Sequence, residues 1–106
     1  MKHMNFKGSL PTLILHTLRQ GPNHGYRIAQ EIKQKSRGVL DLKEGTLYPA
    51  LHDLEAKGLI TSYTRTVNGR PRCCYKLTEK GKKALAKQME EWNQFAAAIS
   101  LILQEA

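Results

Sequence analysis

The stretch "EGTLYPALHDLEAKGLI", residues 44–60, decides the fold. Leu47, Ala50, Leu51 and Leu54 recur at the three- and four-residue spacing of a helix with one apolar stripe, and Gly58 stands where a helix closes on a left-handed residue. Gly45 and Pro49 are odd choices for its first two turns. A helix beginning near Gly45 or Thr46 nevertheless tolerates Pro49, because N–H groups of the first turn have no intrahelical partner. A glycine at position 45 lets this N-terminus approach another surface closely, and the free N–H groups at the positive end of the helix dipole suit a phosphate.

The stripe also fixes what faces outward. Gly45, Pro49, His52, Asp53 and Ala56 lie opposite the leucines, with Thr46 and Tyr48 at the flanks. The strong bidentate base readers are Arg for guanine and Asn or Gln for adenine, and this face carries none of them. The expectation is a helix that positions itself on phosphates through its backbone, Thr46 and Tyr48, while His52 and apolar contacts to thymine methyls supply limited sequence readout.

Upstream, "LPTLILHTL" places Leu10, Leu13, Ile14 and Leu18 on one helical face, with Pro11 in its first turn. "GPNHG" at 21–25 breaks this helix, and "YRIAQEIKQK" resumes with Tyr26, Ala29 and Ile32 expected on one face before "SRG" ends it. Downstream, "LITSYTRTV" and "RCCYKL" flank "NGRP", the signal of a β-hairpin. Thr78 then caps a helix running from about Glu79 to Leu103. The fold class is therefore mainly α with a small β-hairpin: a winged helix-turn-helix over residues 7–78, followed by a long C-terminal dimerisation helix over 79–106. In that arrangement the third helix enters a groove of DNA and the hairpin wing lies beside it.

Charge agrees with this order. The chain of 106 residues carries 17 basic and 9 acidic side chains, a net +8, which favours a polyanionic partner. Residues 57–78 hold Lys57, Arg65, Arg70, Arg72 and Lys76 and no carboxylate. The wing arginines Arg70 and Arg72 are accordingly expected to contact DNA. Residues 41–56, by contrast, hold one basic and four acidic side chains. A membrane partner is disfavoured: the longest apolar run, "FAAAISLIL" at 95–103, is nine residues against the roughly 20 that span a bilayer. No charged-then-apolar leader opens the chain, so a cytoplasmic location is expected. The opening "MKHM" is given no structural role.

These segments resemble the PadR family of bacterial transcriptional regulators. "KGSLPTLIL", "HGYRIAQEIKQ", "EGTLYPALHDLEAKGLI" and "NGRPRCCYKLTEKG" carry the resemblance, which runs from about Lys7 to the C-terminus. It implies a homodimeric, mostly repressive DNA-binding protein that dimerises through its C-terminal helix. The short single C-terminal helix is similar to the compact subfamily, some of whose members sense drug-like or phenolic molecules between the subunits. By position, the resemblance implies DNA contacts at Tyr26, at Thr46, Tyr48 and Pro49, and in the wing around Arg70 and Arg72. The family often has a basic residue and a tyrosine where this chain has Cys73 and Cys74, so the resemblance does not carry over a phosphate contact or an aromatic packing interaction from the wing base.

The two cysteines are too few for a disulfide framework. Strand alternation predicts Cys73 inside with Tyr75 and Leu77, and Cys74 outside with Arg72 and Lys76. An outward Cys74 leaves a redox-responsive regulator as an alternative to structural filler. His3, His16, His24 and His52 show no metal-ligand spacing.

In the last helix Leu85, Met89, Trp92, Ala96, Ile99 and Leu103 follow a 4-3-4-3-4 spacing, the seam of a coiled-coil-like contact. From Phe95 onward apolar residues spread nearly all round, which requires burial against more than one surface. Met89, Trp92, Phe95, Ile99 and Leu103 are thus expected either in a dimer core or lining a flat pocket for a small hydrophobic effector. Two third helices related by a two-fold axis would meet half-sites about 10 base pairs apart on a near-palindromic operator in double-stranded DNA. A winged-helix protein-interaction module remains the competing class. No cofactor is expected, and an enzyme is disfavoured: there is no Walker loop, HExxH or Gly-x-Ser-x-Gly elbow.

Overall fold

In the computed structural model, which describes residues 6–104, the order of elements is α1 (Phe6–Leu18), β1 (Asn23–His24), α2 (Gly25–Lys35), α3 (Glu44–Ala56), β2 (Ile60–Val67), β3 (Arg70–Leu77) and α4 (Glu79–Leu103). The opening "MKHM", His3 and the last two residues of the segment 79–106 lie outside the described residues. Three short helices, a hairpin wing and a long final helix give a winged helix-turn-helix with an appended helix. The hairpin belongs to a three-stranded antiparallel sheet of order β1-β3-β2. The short strand β1, hidden in the sequence inside an apparent helix break, pairs Asn23 with Tyr75 and His24 with Cys74.

The core forms where the apolar faces of α1, α2 and α3 meet the base of the sheet. Leu15 joins Leu10, Ile14 and Leu18 inside, while Leu13 is only half-buried. The third helix buries Leu47, Leu51 and Leu54, as its stripe requires. The second helix departs from expectation: it buries Gly25, Ile28 and Ile32, and Tyr26 is 62% exposed. Tyr26 and Ile32 are six residues apart, about 240° around a helix at 3.6 residues per turn, so Ile28 rather than Tyr26 shares the face of Ile32.

The prolines also sit deeper than expected. The first and third helices start at Phe6 and Glu44, so Pro11 and Pro49 each fall in the second turn. At position 49 the proline leaves the Gly45 carbonyl without its usual donor, at a helix end exposed to solvent. Glu55 holds this helix to the wing, its carboxylate Oε2 accepting from the Ser62 N–H at 3.2 Å and the Ser62 hydroxyl at 2.6 Å. Gly58 closes the helix with φ 77°.

Asn68 and Gly69, with φ 53° and 76°, form the two-residue turn of the wing, whose twist matches the flanking strands. Arg70 and Pro71 therefore belong to β3 and not to the turn. Thr78 caps α4: its hydroxyl accepts from the Gly81 N–H at 3.0 Å and is shared as a donor between the Gly58 and Leu59 carbonyls. Gly81 packs so tightly on Leu59 that a Cβ would stand 2.0 Å from the Leu59 carbonyl oxygen. The Thr12 hydroxyl donates to Gln88 Oε1 at 2.7 Å, tying α1 to α4 halfway along. Beyond that point α4 runs out from the body, and Leu101, Ile102 and Leu103 stand exposed.

Candidate nucleic-acid interface

His24 sets the geometry of one side of the site. Its extended backbone precedes α2, and its Nδ1 accepts from the Arg27 N–H at 3.4 Å, an N-cap that orients the first turn. Burial, then the Arg72 and Arg27 guanidiniums, hold the His24 imidazole below its usual range, which keeps that nitrogen free to accept. The His24 and Tyr26 rings lie parallel with centroids 6.4 Å apart. The start of α2 is held to the same end of the molecule by Asn23, whose amide donates to Glu31 Oε2 at 2.9 Å.

Tyr48 reaches this point from α3. A Cβ on Gly25 would meet its phenolic oxygen at 2.9 Å, so the tyrosine depends on that glycine for its seat against α2. Arg72, Cys73 and Tyr75 close the same small cleft of about 160 Å³ from the wing. Three of the expected DNA contacts, Tyr26, Tyr48 and Arg72, are therefore brought together. Two more, Thr46 and Pro49, line a separate shallow strip with Gly45 and Asp53 on the α1 side of α3. His52 stands exposed on the same helix, and Arg70 stands exposed at the wing tip, away from the cleft.

The wing holds one residue that sequence reasoning passed over. Arg65 of β2 lies directly opposite Arg72 of β3, and alternation places Arg70 on their face. All three are exposed, and among the described residues none is ion-paired. Like charges directly opposed across a sheet are destabilising on their own, and an anion bound at this face would relieve the repulsion. The spacing of Arg65 and Arg72 about the Asn-Gly turn was the available signal, because a two-residue turn fixes the register.

The cysteines reverse their expected places. Cys74 is buried, 4% exposed, and Cys73 is exposed. One-sided alternation fails because Cys74 and Tyr75, neighbours that point to opposite faces, are both buried where β3 runs as the central strand beside β1, and the strand emerges at Cys73. A redox role for an outward Cys74 is thereby overturned. Burial, then the Cys73 side chain as acceptor for its O–H, pushes the Tyr75 hydroxyl well above its usual range.

The long helix divides its expected residues between two grooves. Trp92 and Phe95, ring centroids 6.1 Å apart, line a groove of about 510 Å³ with Leu13 and Leu40. Met89 lines a different one with Leu77, Leu85 and Arg19, so Met89 and Trp92 do not share a pocket within one chain. Ile99 is half-buried and Leu103 is 75% exposed. Among the described residues no group of three or more His, Cys, Asp or Glu side chains is placed to hold a metal ion, and no helix is long and apolar enough to cross a membrane.

Known proteins are similar to this chain in sequence and shape. Residues 14–87 match the transcriptional regulator PadR-like family. The transcriptional regulator Rv3488 of Mycobacterium tuberculosis is 38% identical over 86 residues, which cover 81% of this chain and 78% of that protein. The solved structure of a transcriptional regulator from Clostridium thermocellum, Cth-833, is similar with a TM-score of 0.85 and 33% identity, covering 92% of this chain and 93% of its own. Bacillus subtilis PadR in complex with operator DNA is similar with a TM-score of 0.68 and 31% identity, over 76% of this chain and 46% of its own.

Proposed function

The chain belongs to the PadR-like family of transcriptional regulators, and from that premise we propose that it is a homodimeric, sequence-specific DNA-binding repressor relieved by a small hydrophobic effector. Residues 7–78 form the reading head and residues 79–106 the dimerisation segment. The observation that carries the reading is the exposed arginine face of Arg65, Arg70 and Arg72, which reaches the cleft of Tyr26 and Tyr48 at Arg72, with the exposed face of α3 between the two clefts. In this reading the third helix enters the major groove, Thr46, Pro49 and His52 face the bases or their flanking phosphates, and the wing and Tyr26 clamp the backbone. Support from outside the chain is the relative of known structure bound to operator DNA.

The dimer follows from the far end of α4. Trp92, Leu101, Ile102 and Leu103 are exposed in the single chain, an apolar surface that a second copy buries. An effector between the subunits, beside Trp92 and Phe95, changes the separation of the two heads and so their joint fit to a near-palindromic operator.

The test is fluorescence anisotropy of a labelled duplex taken from upstream of the gene for this protein, against a scrambled duplex, at low and near-physiological salt. A preference for the upstream duplex that persists at the higher salt, with two subunits per site, is expected. Equal binding that vanishes with salt would leave only a basic surface and return the protein to the interaction-module class.

A further inference from the structure

The recognition helix carries acid and no base. Between Glu44 and Ala56 there are three carboxylates and no Lys or Arg, on an element that the proposed function lays against a polyanion. Two of the three have roles in the fold. Glu55 holds Ser62 of the wing, and Glu44 sits in the first turn, where a negative charge complements the helix dipole. The neighbouring Asp41 is likewise engaged by Lys33 and Lys43, each at 3.6 Å. Asp53 alone has no such role. Among the described residues its only ion pair is with Lys57, at 2.9 Å, with the two side chains 58% and 62% exposed. An exposed i,i+4 pair of this kind contributes about 0.3–0.5 kcal/mol at most.

Asp53 is nevertheless well placed to touch DNA. It lines the same strip as Gly45, Thr46 and Pro49, one helical turn beyond the proline. A carboxylate there repels every phosphate it approaches, and it can only accept hydrogen bonds. In the major groove the donors are the exocyclic amino groups, N4 of cytosine and N6 of adenine, whereas guanine and thymine present acceptors. We propose that Asp53, held by Lys57 and exposed beside Thr46 and Pro49, is a specificity-determining residue that accepts from the amino group of cytosine or adenine at one position of each half-site and rejects guanine and thymine there. Rejection does as much as attraction, because an acceptor facing an acceptor leaves both unpaired in a desolvated groove. Lys57 offsets the charge of Asp53 without supplying a donor to that base. The assignment rests on the DNA-binding reading above.

The experiment is selection from a randomised duplex library with the wild-type chain, Asp53→Ala, Asp53→Asn and Lys57→Met, each followed by anisotropy on selected and scrambled duplexes. The wild type is expected to select an amino-bearing base at one position per half-site. Asp53→Ala should lose that discrimination by about 5- to 150-fold, the value of one good base contact, while binding scrambled duplex more tightly because a repulsive charge has gone. Asp53→Asn should turn the same position toward adenine, the base an amide reads in two places. Lys57→Met should lower affinity for all duplexes and leave the preference unchanged. A base preference in Asp53→Ala that superimposes on the wild type overturns the assignment to Asp53 alone. A wild type that selects no sequence overturns both the assignment and the DNA reading beneath it.

Discussion

At the scale of single residues, opposed and unpaired charges give the site its character. Arg65 and Arg72 face each other across the wing with no carboxylate between residues 57 and 78 to offset them. Replacing Arg70 and Arg72 together by Ala should weaken binding to every duplex and flatten the dependence of log affinity on log salt by about 1 to 2, at roughly 0.9 for each phosphate the variant no longer neutralises. Thermal stability should stay level or rise slightly, since a like-charge pair is removed. An unchanged salt slope would show that the wing is not the phosphate clamp. His24 carries a second test. Its pKa is depressed in the fold, so as pH falls below about 6.5 the unfolded chain takes up a proton before the folded one does, and stability is lost on the way down. His24→Asn keeps a capping acceptor without a titrating ring. Its urea midpoint should vary less between pH 7.5 and 5 than that of the wild type; an equal variation would place the acid sensitivity elsewhere.

At the scale of elements, two glycines on helix N-terminal turns differ in what they permit. Gly81 lies against the Leu59 carbonyl, whereas nothing lies within 4 Å of a Cβ at Gly45. Gly81→Ala should therefore force α4 off the base of the wing and cost about 3 kcal/mol or more in urea unfolding. Gly45→Ala should stabilise the helix by about 0.5 kcal/mol, yet weaken DNA binding if this N-terminus approaches a phosphate as proposed. A Gly45→Ala chain that binds normally would remove the close approach from the reading. The contrast also marks what the sequence discloses. The leucine stripe of α3, the Asn-Gly turn and the Thr78 cap were all legible, because each depends on contacts within a few residues. Strand β1, the burial of Cys74 and the phase of α2 were not. Each is set by pairing with β3 or by packing across the core, and a two-residue strand leaves no periodicity to read. The same holds for the site: Tyr26, Tyr48 and Arg72 come from three elements, and only the fold puts them in one cleft.

At the scale of the whole molecule, the unfinished part is the outer half of α4. The chain is elongated, 58 × 29 × 22 Å, and the seam foreseen from Leu85 to Leu103 is covered within one chain at Leu85 and open at its far end. Among the described residues of one chain no element covers Ile102 and Leu103, whereas a second α4 crossing the first would bury both ends at once. Trp92, 42% exposed in the single chain and the only tryptophan, lies on this surface and reports on it. Ile99→Glu with Leu103→Glu should give a folded monomer by sedimentation equilibrium, with tryptophan emission at longer wavelength than in the wild type. The same variant should lose about 100-fold or more in affinity for a two-half-site operator, because the second head no longer binds as an intramolecular event. Its affinity for a single half-site should be unchanged, which separates loss of the partner from damage to the head. If the wild type itself sediments as one chain, with emission equal to that of the variant, the coupling of two heads through α4 fails, and with it the route by which an effector at Trp92 would reach the DNA.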